Sequence, residues 1–551
     1  MTADAVIVGS GPGGSAFAEV LAEAGWSVVI VEKGRNHLID LSDPRRLLED
    51  YSNDEIKFVH RYFLGPDPLV EPRAFRTGED EGERSHVGEV NSIPTTVGGG
   101  GIHADGKVPR FREEDFALLG TYGPVEDAAV ADWPLDYAEL EPHYAAAERG
   151  IGVAGEAGAN PFAAWRSGPY PMPPGAPMYG AVLSSAAAER VGLHPYPAPT
   201  AANSVPYDGR PACNNCGFCA RFGCPIHAKG DPVALLQRAL LTGNVELLPE
   251  TFAARICTEG GRATGVEVVG PDGARRTIGA RVVVLAAGAV ETPRLLLLSG
   301  FEHPLIGRHL MVHFQTFGFG VLRQRVHGER GRAVTHVHDD PVIVDADARR
   351  AARQAGLPWL RGGMTEHGGP SLPIDEAKRY PWGDAHRQLM RASPMRAHLW
   401  AFTMQGEDLP QPTNRVDLDP TVRDARGFPV ARVTYRPHRH ELAASDFHGQ
   451  RLLKVLEEMG ATWSGLATSP ATADAVRRSP GLSTVPDSRH VMGTTRMGVD
   501  PSTSVVDRFG AMHDIPNVVV ADSSVFVTSS GYGPTLTLVA LARRAALALV
   551  G

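Results

Sequence analysis

Cysteine is scarce in this chain, and long apolar runs are missing from it. Only 5 cysteines occur among 551 residues, and four of them lie in one short stretch. The scattered disulfides that stabilise many secreted proteins would leave a different pattern. No apolar run reaches the roughly 20 residues that a membrane-spanning helix needs. The sequence therefore predicts no transmembrane segment.

Basic residues are not in excess, and no targeting leader is visible. The net charge is -9 and the isoelectric point is about 6.2, whereas a nucleic-acid-binding protein needs a basic face to neutralise phosphates. Met1 is followed almost directly by an apolar segment, without the basic and apolar regions of a signal peptide. We therefore expect a cytoplasmic protein that binds no nucleic acid, and a periplasmic one only if a partner subunit carries it.

The length and the order of the apolar segments predict more than one domain. A chain of 551 residues is too long for a single core. Apolar segments on both sides of a helical pattern at 15–24 predict an initial βαβ unit. Similar α/β signals return at 281–288 and 517–550. Residues 155–212 are rich in Pro, Gly and Ala, which suggests long surface connections. The nucleotide-binding fold is thus predicted to be discontinuous, with a second domain inserted in it.

The turn of the first βαβ unit carries the spacing of a dinucleotide site. Gly9 permits the tight turn, Gly11 lets the backbone approach a pyrophosphate, and Gly14 lets the helix pack closely on the strand. The helix N-terminus then faces the phosphates with its partial positive charge. Glu32 ends the second strand, where a carboxylate accepts hydrogen bonds from ribose hydroxyls. The motif predicts a bound dinucleotide and does not distinguish FAD from NAD.

Four segments together resemble one known family. Residues 5–34, 95–112, 281–297 and 489–546 are similar to the glucose–methanol–choline (GMC) oxidoreductases, and in particular to the pyranose 2-oxidase-like and bacterial sugar dehydrogenase-like branches. The resemblance extends over the chain from end to end. It implies that the dinucleotide is FAD.

The resemblance implies an α/β fold with a discontinuous Rossmann-type FAD-binding domain and an inserted α+β substrate domain. The expected FAD-binding segments are 1–35, 85–125, 205–300 and 486–551; the substrate-binding and connecting segments are 36–84, 126–204 and 301–485. The residues expected to contact the cofactor are Gly9, Gly11, Pro12, Gly13, Gly14, Glu32, Lys33, Gly98, Gly99, His103, Ala287, Asp522, Ser523, Pro534 and Thr535.

The segment 490–498 resembles the part of the family that carries a catalytic histidine. Oxidation of an alcohol requires removal of the hydroxyl proton while hydride leaves the carbon. A neutral imidazole with a pKa near ~6.5 suits that role. His490 is therefore the candidate base. The alternative is that it packs in the interior as one of 21 histidines.

The segment before the last helix departs from the family. Relatives usually place a second His or Asn just before the helix proline, but here Gly533 precedes Pro534. Glycine has no side chain that could donate or accept a hydrogen bond. Either His490 works without that partner, or another residue takes its place. Pro534 and Thr535 still open a helix whose N-terminus would stabilise the electron-rich edge of reduced flavin.

A glycine-rich segment suggests a covalent flavin. Residues 97–103, followed by Pro-Arg-Phe at 109–111, resemble the part of pyranose 2-oxidase in which the histidine carries a covalent link to the flavin. The resemblance therefore makes His103 a candidate for such a bond. The alternative is that His103 only lines the flavin edge.

The four clustered cysteines allow three interpretations. Their spacing, Cys213-x2-Cys216-x2-Cys219-x4-Cys224 with a following proline, is close to that of a ferredoxin-type iron–sulfur run. Some sugar dehydrogenases of the family hold a cluster hereabouts. A zinc site is the second interpretation, although structural zinc usually draws on two separated ligand pairs. Free thiols or a local disulfide are the third.

Together these features predict an enzyme that uses FAD to oxidise a CH–OH group of a sugar, glycoside or cyclitol. Hydride would pass to flavin N5, and His490 would be the base. One alternative is a dehydrogenase that passes electrons through an iron–sulfur cluster to a quinone or cytochrome partner. The other is a non-catalytic flavin-bearing binding or electron-transfer subunit, which the missing residue at Gly533 would favour.

Overall fold

A computed structural model of the chain describes residues 2–37, 67–79, 86–88, 90–91, 93–219, 223–230, 232–368, 376–377, 381–393, 395–469, 486 and 488–551. All the residues predicted to form the site lie within these ranges. Parts of two predicted substrate-domain segments, 38–66 and 470–485, lie outside them.

The described residues form 17 strands, and many of them follow one another without an intervening α-helix. In chain order the strands are β1 (Thr2–Val8), β2 (Val28–Val31), β3 (Arg73–Arg76), β4 (His86–Gly88), β5 (Tyr196–Pro197), β6 (Val245–Leu248), β7 (Phe252–Glu259), β8 (Arg262–Val269), β9 (Arg275–Leu285), β10 (Gln315–Leu322), β11 (Val334–His338), β12 (Thr365–Gly368), β13 (Leu399–Gln405), β14 (Arg415–Arg423), β15 (Pro429–Thr434), β16 (Ala461–Thr468) and β17 (Val518–Val520).

The α-helices in the same residues are α1 (Pro12–Glu23), α2 (Gly100–His103), α3 (Leu118–Tyr122), α4 (Tyr137–Ile151), α5 (Tyr179–Arg190), α6 (Val233–Leu241), α7 (Gly288–Leu298), α8 (Ala346–Gln354), α9 (Asp384–Ala392), α10 (Arg439–Glu458) and α11 (Thr535–Val550). Short 3-10 helices lie at Glu113–Phe116, Asp340–Val342 and Ser523–Val525. Each of these helices is too short or too polar to cross a bilayer.

A seven-stranded sheet forms the nucleotide-binding part of the fold. Its order is β6-β2-β1-β9-β8-β7, and β17 pairs with the end of β9. The pairs β6–β2, β2–β1, β1–β9 and β9–β17 are parallel, whereas β7, β8 and β9 form an antiparallel meander. Its strands come from the beginning, middle and end of the chain, which confirms the discontinuous Rossmann-type fold. The exact domain boundaries stay a prediction.

The apolar runs of the sequence form the main core because both faces of this sheet are covered. Val6 and Ile7 of β1 are fully buried in one cluster with Phe17 of α1 and Leu536 of α11. Parallel strands covered on both faces read as continuous apolar segments. Burial of each such side chain is worth about 1.5–3 kcal/mol. The packing holds the N-terminal turns of α1 and α11 at the same sheet.

Two smaller sheets belong to the inserted part of the chain. A six-stranded antiparallel sheet has the order β16-β10-β13-β12-β11-β5, and a four-stranded sheet has the order β14-β15-β3-β4. The expected α+β insertion is therefore present. The prediction of surface connections at 155–212 was wrong in part, because α5 forms at Tyr179–Arg190. Its Ala181, Ala187 and Ala188 are buried against the six-stranded sheet's core cluster.

A buried ion-pair network joins segments that lie far apart in the sequence. Arg361 is fully buried and contacts Asp115 Oδ1 at 2.6 Å and Glu407 Oε2 at 3.0 Å. Loss of one partner of such a network leaves a buried charge without compensation, which costs about 3–5 kcal/mol. The network fixes the inserted strands against the segment that precedes α3, and β12 and β13 thereby border the cavity described next.

Candidate active site

A cavity of about 440 Å³ lies where the nucleotide-binding sheet meets the inserted sheet. Most of the predicted cofactor residues line it, together with the candidate base. They are Gly9, Gly11, Pro12, Gly13, Glu32, Lys33, Gly99, His103, Ala287, His490, Asp522, Ser523, Pro534 and Thr535. Gly14 and Gly98 are outside the lining, and their positions are explained by packing.

Three of the glycines of the first turn, Gly9, Gly13 and Gly14, leave no room for a side chain. A β-carbon on Gly13 would lie 1.8 Å from the carbonyl oxygen of Ala521, and one on Gly14 would lie 2.1 Å from that of Gly9. Gly9 has a φ of +103°, a conformation that L-residues rarely adopt. By contrast, no atom of the described residues other than its chain neighbours lies within 4 Å of a β-carbon built on Gly11. The open space over Gly11 at the start of α1 fits the pyrophosphate of a dinucleotide.

Glu32 is held at the end of β2 by the same turn. Its Oε2 accepts hydrogen bonds from the Ser10 amide at 3.1 Å and the Ser10 hydroxyl at 2.8 Å, and its Oε1 accepts one from the Gly34 amide at 2.8 Å. The Gly98 amide in turn donates to Ser10 Oγ at 3.0 Å. Gly98 therefore ties the second glycine-rich segment to the first, which explains why it is not in the lining.

Lys33 takes part in a buried ion-pair network at one end of the cavity. Its ammonium contacts Glu71 Oε1 at 2.6 Å and Glu291 Oε2 at 3.3 Å. Glu291 also pairs with Arg73 and Arg294. Burial raises the pKa of Glu291, but the three neighbouring cations outweigh burial and hold its pKa well below the usual value. Glu291 is therefore ionised, and this network stabilises the lip of the cavity beside β2 and α7.

Asp522 and Ser523 connect three segments of the cavity wall. Asp522 Oδ2 accepts hydrogen bonds from the Gly288 amide at 2.9 Å and from Thr292 Oγ1 at 2.5 Å, at the start of α7. The Ser523 hydroxyl donates to the Val491 carbonyl at 2.6 Å. These contacts place Ala287, Asp522 and the residue after His490 around one space. The expected flavin contacts of Asp522 and Ser523 stay predictions.

The N-terminus of α11 opens on the same cavity. Pro534 precedes the helix and Thr535 is its first residue, and both line the space. The preceding Tyr532 is buried, and its hydroxyl donates to Asp339 Oδ2 at 2.9 Å. This contact holds the turn before the helix in place, so the helix dipole is directed at the cavity.

His103 ends the short helix α2 and is buried at the cavity wall. The Lys229 ammonium donates hydrogen bonds to the carbonyls of Ile102 and Ala104 at 2.9 and 2.7 Å, and it also contacts the Gly101 carbonyl. A buried ammonium therefore fixes the backbone on both sides of His103. The geometry agrees with a residue at the flavin edge; the covalent bond stays a prediction.

The segment that carries His490 is held against the chain near His313. Met311 and Met492 exchange backbone hydrogen bonds of 3.0 and 2.9 Å. Gly493 has a φ of +92°, and a β-carbon there would lie 2.2 Å from the His309 carbonyl oxygen. Thr494 is buried and donates to the Ala289 carbonyl at 2.7 Å. The motif after His490 therefore serves to position the histidine.

His313 contacts His490 directly, and the sequence did not identify it. The two Nδ1 atoms lie 2.9 Å apart, and His313 Nε2 lies 3.1 Å from the Ser529 carbonyl oxygen. A carbonyl only accepts, so His313 Nε2 carries a proton and its Nδ1 is the acceptor in the neutral ring. His490 Nδ1 must then be the donor. This network leaves His490 Nε2 without a proton and able to accept one.

The environment keeps both rings neutral. Burial lowers the pKa of His490 well below its usual value, and His313 and Lys107 lower it further. Burial also lowers the pKa of His313 to about 4. His313 has a φ of +61°, and strained backbone of this kind is concentrated at functional sites. The lowered pKa keeps the His490 imidazole unprotonated in neutral solution; its role as the base stays a prediction.

Gly533 lies beside His490 at the cavity. A β-carbon built on Gly533 would lie 4.0 Å from His490 Cε1 and 3.7 Å from the Lys107 carbonyl oxygen. Among the described residues, His490 is the one side chain within 4 Å of that β-carbon. His490 takes a polar partner, His313, from another part of the chain. Their sequence separation of 177 residues gave no signal that could have paired them.

Further polar side chains at the cavity were also missed by the sequence. They are Asp105, Lys107, Gln315, Glu366 and Gln405. The inserted strands β10, β12 and β13 supply the last three. Lone polar residues in strands carry no motif, so only their convergence identifies them.

The four clustered cysteines differ in burial and form no disulfide. Cys216 is exposed, Cys213 is partly buried, and Cys219 and Cys224 are buried. Burial raises the pKa of Cys219 to about 12, so its thiol is protonated. Within the part of the chain that the structure describes, no three His, Cys, Asp or Glu side chains are arranged to hold a metal ion. The iron–sulfur cluster and the zinc site therefore stay predictions.

Comparison with known proteins agrees with this geometry. The GMC oxidoreductase family is matched by two models, over residues 186–315 and 410–542, and an FAD binding domain matches residues 2–42. The crystal structure of pyridoxine 4-oxidase from Mesorbium loti has a TM-score of 0.61 and 19% identity, covering 99% of this chain and 98% of that chain. This structural likeness shows the fold.

Two curated relatives are similar over almost their whole length. The 2-methyl-1,2-propanediol dehydrogenase of Mycolicibacterium austroafricanum is 30% identical, covering 98% of this chain and 94% of the relative. The fructose dehydrogenase large subunit of Gluconobacter japonicus is 28% identical, covering 100% of this chain and 98% of the relative.

The fold and the cavity define an FAD-dependent alcohol oxidoreductase. The glycine-rich turn at the N-terminus of α1, which we call the glycine cradle, and the buried imidazole of His490 border the same cavity. The chain belongs to the GMC oxidoreductase family. The family, the fold class and the FAD cofactor predicted from the sequence are thereby confirmed.

Proposed function

We propose that this chain oxidises a CH–OH group of a sugar, glycoside or cyclitol, with His490 as the base and flavin N5 as the hydride acceptor. One observation carries the proposal: the His313 contact leaves His490 Nε2 free to accept a proton, in the same cavity as the glycine cradle. Relatives named for a diol and a sugar support the choice of a hydroxylated substrate.

Different residues of the cavity bind the cofactor, accept the proton and stabilise negative charge. Gly11 and Gly13 let the start of α1 approach the pyrophosphate, and Glu32 accepts hydrogen bonds from the ribose. Bound FAD supplies the hydride acceptor. His490 Nε2 accepts the hydroxyl proton, and the resulting imidazolium keeps its Nδ1–H on His313. The N-terminus of α11 stabilises negative charge that develops in the cavity.

Anaerobic mixing with sugars and cyclitols tests the proposal. A substrate should bleach the flavin absorbance near ~450 nm, since hydride transfer reduces the flavin. The same mixing with a matched ether, in which the hydroxyl group is blocked so that no proton can be removed, is the control. If no alcohol reduces the flavin of a protein that contains FAD, the alternative of a non-catalytic flavin-bearing subunit is correct.

His313 offers a direct test of the tautomer. We expect His313→Gly to lower the rate constant of flavin reduction by about 10- to 100-fold, because His490 would lose the acceptor that fixes its proton on Nδ1. His313→Asn should recover most of the rate, since its amide oxygen can accept the same hydrogen bond. Both residues tolerate the positive φ of this position. Stopped-flow flavin reduction measures the effect.

The FAD content and the thermal unfolding midpoint of both His313 variants control for a structural effect. Equal rates for His313→Gly and the wild type would contradict the assigned proton position. Equal losses in the Gly and Asn variants, with normal FAD content, would show that the ring is needed for packing and not as an acceptor.

Two further parts of the proposal concern covalent and electron-transfer chemistry. Acid precipitation decides whether His103 is bonded to the flavin, because a covalent flavin stays in the pellet.

Iron, acid-labile sulfide and zinc analysis of protein prepared without air decides between the three interpretations of the cysteines. Since the described residues show no metal-binding arrangement there, we derive no electron-transfer step through them. The identity of the electron acceptor, O₂ or a quinone or cytochrome partner, depends on that result.

A further inference from the structure

A charged cluster lines the cavity, and none of its members is among the residues proposed above to hold the cofactor or to accept the proton. It consists of Asp105, Lys107 and Glu366, and we call it the Lys107 cluster. The Lys107 ammonium contacts Asp105 Oδ2 at 2.7 Å and Glu366 Oε1 at 2.5 Å. The positive charge of Lys107 lowers the pKa of His490.

Glu366 has one carboxylate oxygen that the protein does not use. Its Oε1 accepts hydrogen bonds from Lys107 Nζ and, at 2.9 Å, from Gln405 Nε2. Gln405 Oε1 in turn accepts one from Gln315 Nε2 at 2.8 Å. Glu366 is only 6% exposed, and across the described residues no donor is within reach of its Oε2. Oε2 is not among the fully buried oxygens without a partner in the described residues, and Glu366 lines the cavity, so this oxygen can accept a hydrogen bond from a ligand there.

The charges of the cluster are strongly coupled. Burial lowers the pKa of Lys107, but Asp105 and Glu366 outweigh burial and raise it, so the ammonium stays charged. Burial raises the pKa of Asp105, but Lys107 outweighs burial and lowers it. Burial raises the pKa of Glu366 more than Lys107 lowers it. The cluster thus presents a cation beside two acidic groups, with hydrogen-bond donors and acceptors side by side.

We propose that the Lys107 cluster is a subsite for a second hydroxyl group of the substrate, with Glu366 Oε2 as acceptor and Lys107 Nζ as donor. A hydroxyl both donates and accepts, so it satisfies both groups, whereas an apolar substituent would leave them unpaired. The inference rests on the proposed function and narrows it: the preferred alcohols are diols and cyclic polyols, and alcohols with a single hydroxyl are poor substrates.

Two cyclic alcohols that differ by one hydroxyl test the subsite. In wild-type holoenzyme, 1,2-cyclohexanediol should reduce the flavin with at least about tenfold higher efficiency than cyclohexanol, because a site with buried polar groups rejects the analogue that leaves them unpaired. In Glu366→Gln this ratio should fall by about 10- to 100-fold, the usual contribution of a hydrogen bond to a charged group. Glutamine keeps the size of the side chain, and Asp105 still pairs with Lys107.

Glu246→Gln, on β6 and outside the cavity, is the matched control and should keep the wild-type ratio. If Glu366→Gln does not fold, the ratio of diol to cyclohexanol efficiency in the wild type still tests the preference for a second hydroxyl group, because that measurement needs no variant. A ratio near one in the wild type, or a ratio that Glu366→Gln leaves unchanged, overturns the subsite and leaves alcohol oxidation intact.

Binding separates this inference from the proposed function. In a His490→Ala background, titration with 1,2-cyclohexanediol should perturb the flavin spectrum at lower concentration than cyclohexanol, and the difference should disappear with Glu366→Gln. If neither alcohol reduces the wild-type flavin but the diol still binds in this way, the proposed function fails and the subsite stands. If diol and cyclohexanol bind alike, the subsite is wrong whatever the catalytic result.

Discussion

His490→Ala should reduce its flavin about 10² to 10⁴ times more slowly than the wild type, the usual contribution of a general base. The expected loss follows from the position of His490 Nε2 at the cavity, where His313 leaves it unprotonated. FAD should remain bound, because the cofactor is expected to be held by the cradle at Gly11 and by Glu32. Anaerobic stopped-flow absorbance at saturating substrate measures the rate constant.

The pH dependence of the same reaction distinguishes a base from a packing residue. Burial and the neighbouring cation lower the pKa of His490, and a base works only when unprotonated. The wild-type rate constant should therefore rise with pH through an apparent pKa below the ordinary ~6.5 and stay constant above it. His490→Ala should lose this dependence.

His143→Ala, in which a histidine outside the cavity is replaced, is the control and should keep both the rate and the pH profile. An unchanged rate in His490→Ala would mean that His490 is structural and that the proton leaves by another route. The resemblance-based candidate near the flavin, His103, would then be the next residue to replace.

Gly13→Ala and Gly11→Ala should damage the protein in two different ways. A β-carbon at Gly13 would lie 1.8 Å from the Ala521 carbonyl oxygen, where backbone must move. We expect its free energy of unfolding to fall by about 1–3 kcal/mol or more, as overpacking does. A β-carbon at Gly11 meets no atom of the described residues within 4 Å apart from its chain neighbours, so the stability of the FAD-free protein should change by less than about 0.5 kcal/mol.

The FAD affinity should separate these two variants further. An extra methyl group at Gly11 occupies the space that fits the pyrophosphate, so we expect FAD to bind at least about tenfold more weakly. Denaturant unfolding with and without FAD, together with a fluorescence titration of FAD, gives both quantities.

Gly168→Ala is the control, because Gly168 is exposed and a β-carbon there meets no atom of the described residues within 4 Å apart from its chain neighbours. It should change neither the free energy of unfolding nor the FAD affinity. Normal FAD affinity in Gly11→Ala would place the pyrophosphate elsewhere in the cavity. Normal stability in Gly13→Ala would show that α1 can move away from β17 at little cost.

The nucleotide-binding part of the protein was predictable because the residues that define its motifs are adjacent in the sequence. The turn from Gly9 to Gly14 lies between a strand and a helix that are adjacent in sequence, and the structure has them as β1 and α1. The last helix was predicted at 535–550 and is α11, Thr535–Val550. The inserted part was less predictable, since α5 is rich in alanine and carries a weak apolar pattern.

The candidate base, His490, was predicted from its own sequence motif, but its hydrogen-bond partner was not. The motif at 490–498 resembles the catalytic segment of the family, and the structure places His490 at the cavity. The same sequence reasoning left its partner open, because Gly533 has no side chain. The partner is His313, whose ring approaches from a segment paired through Met311 and Met492.

The sequence by itself determined the Rossmann-type fold and its dinucleotide site, because these depend on residues spaced within one βαβ unit. The family, the FAD cofactor and the candidate histidine followed from the resemblance of four segments spread along the chain. Only the tertiary structure decided which nitrogen of His490 is free and which side chains surround the substrate. Those answers depend on hydrogen bonds shorter than about 3.2 Å between residues such as Lys107 and Glu366. No spacing rule links such residues, because the strands that carry them become neighbours only when the inserted sheet packs on the cavity.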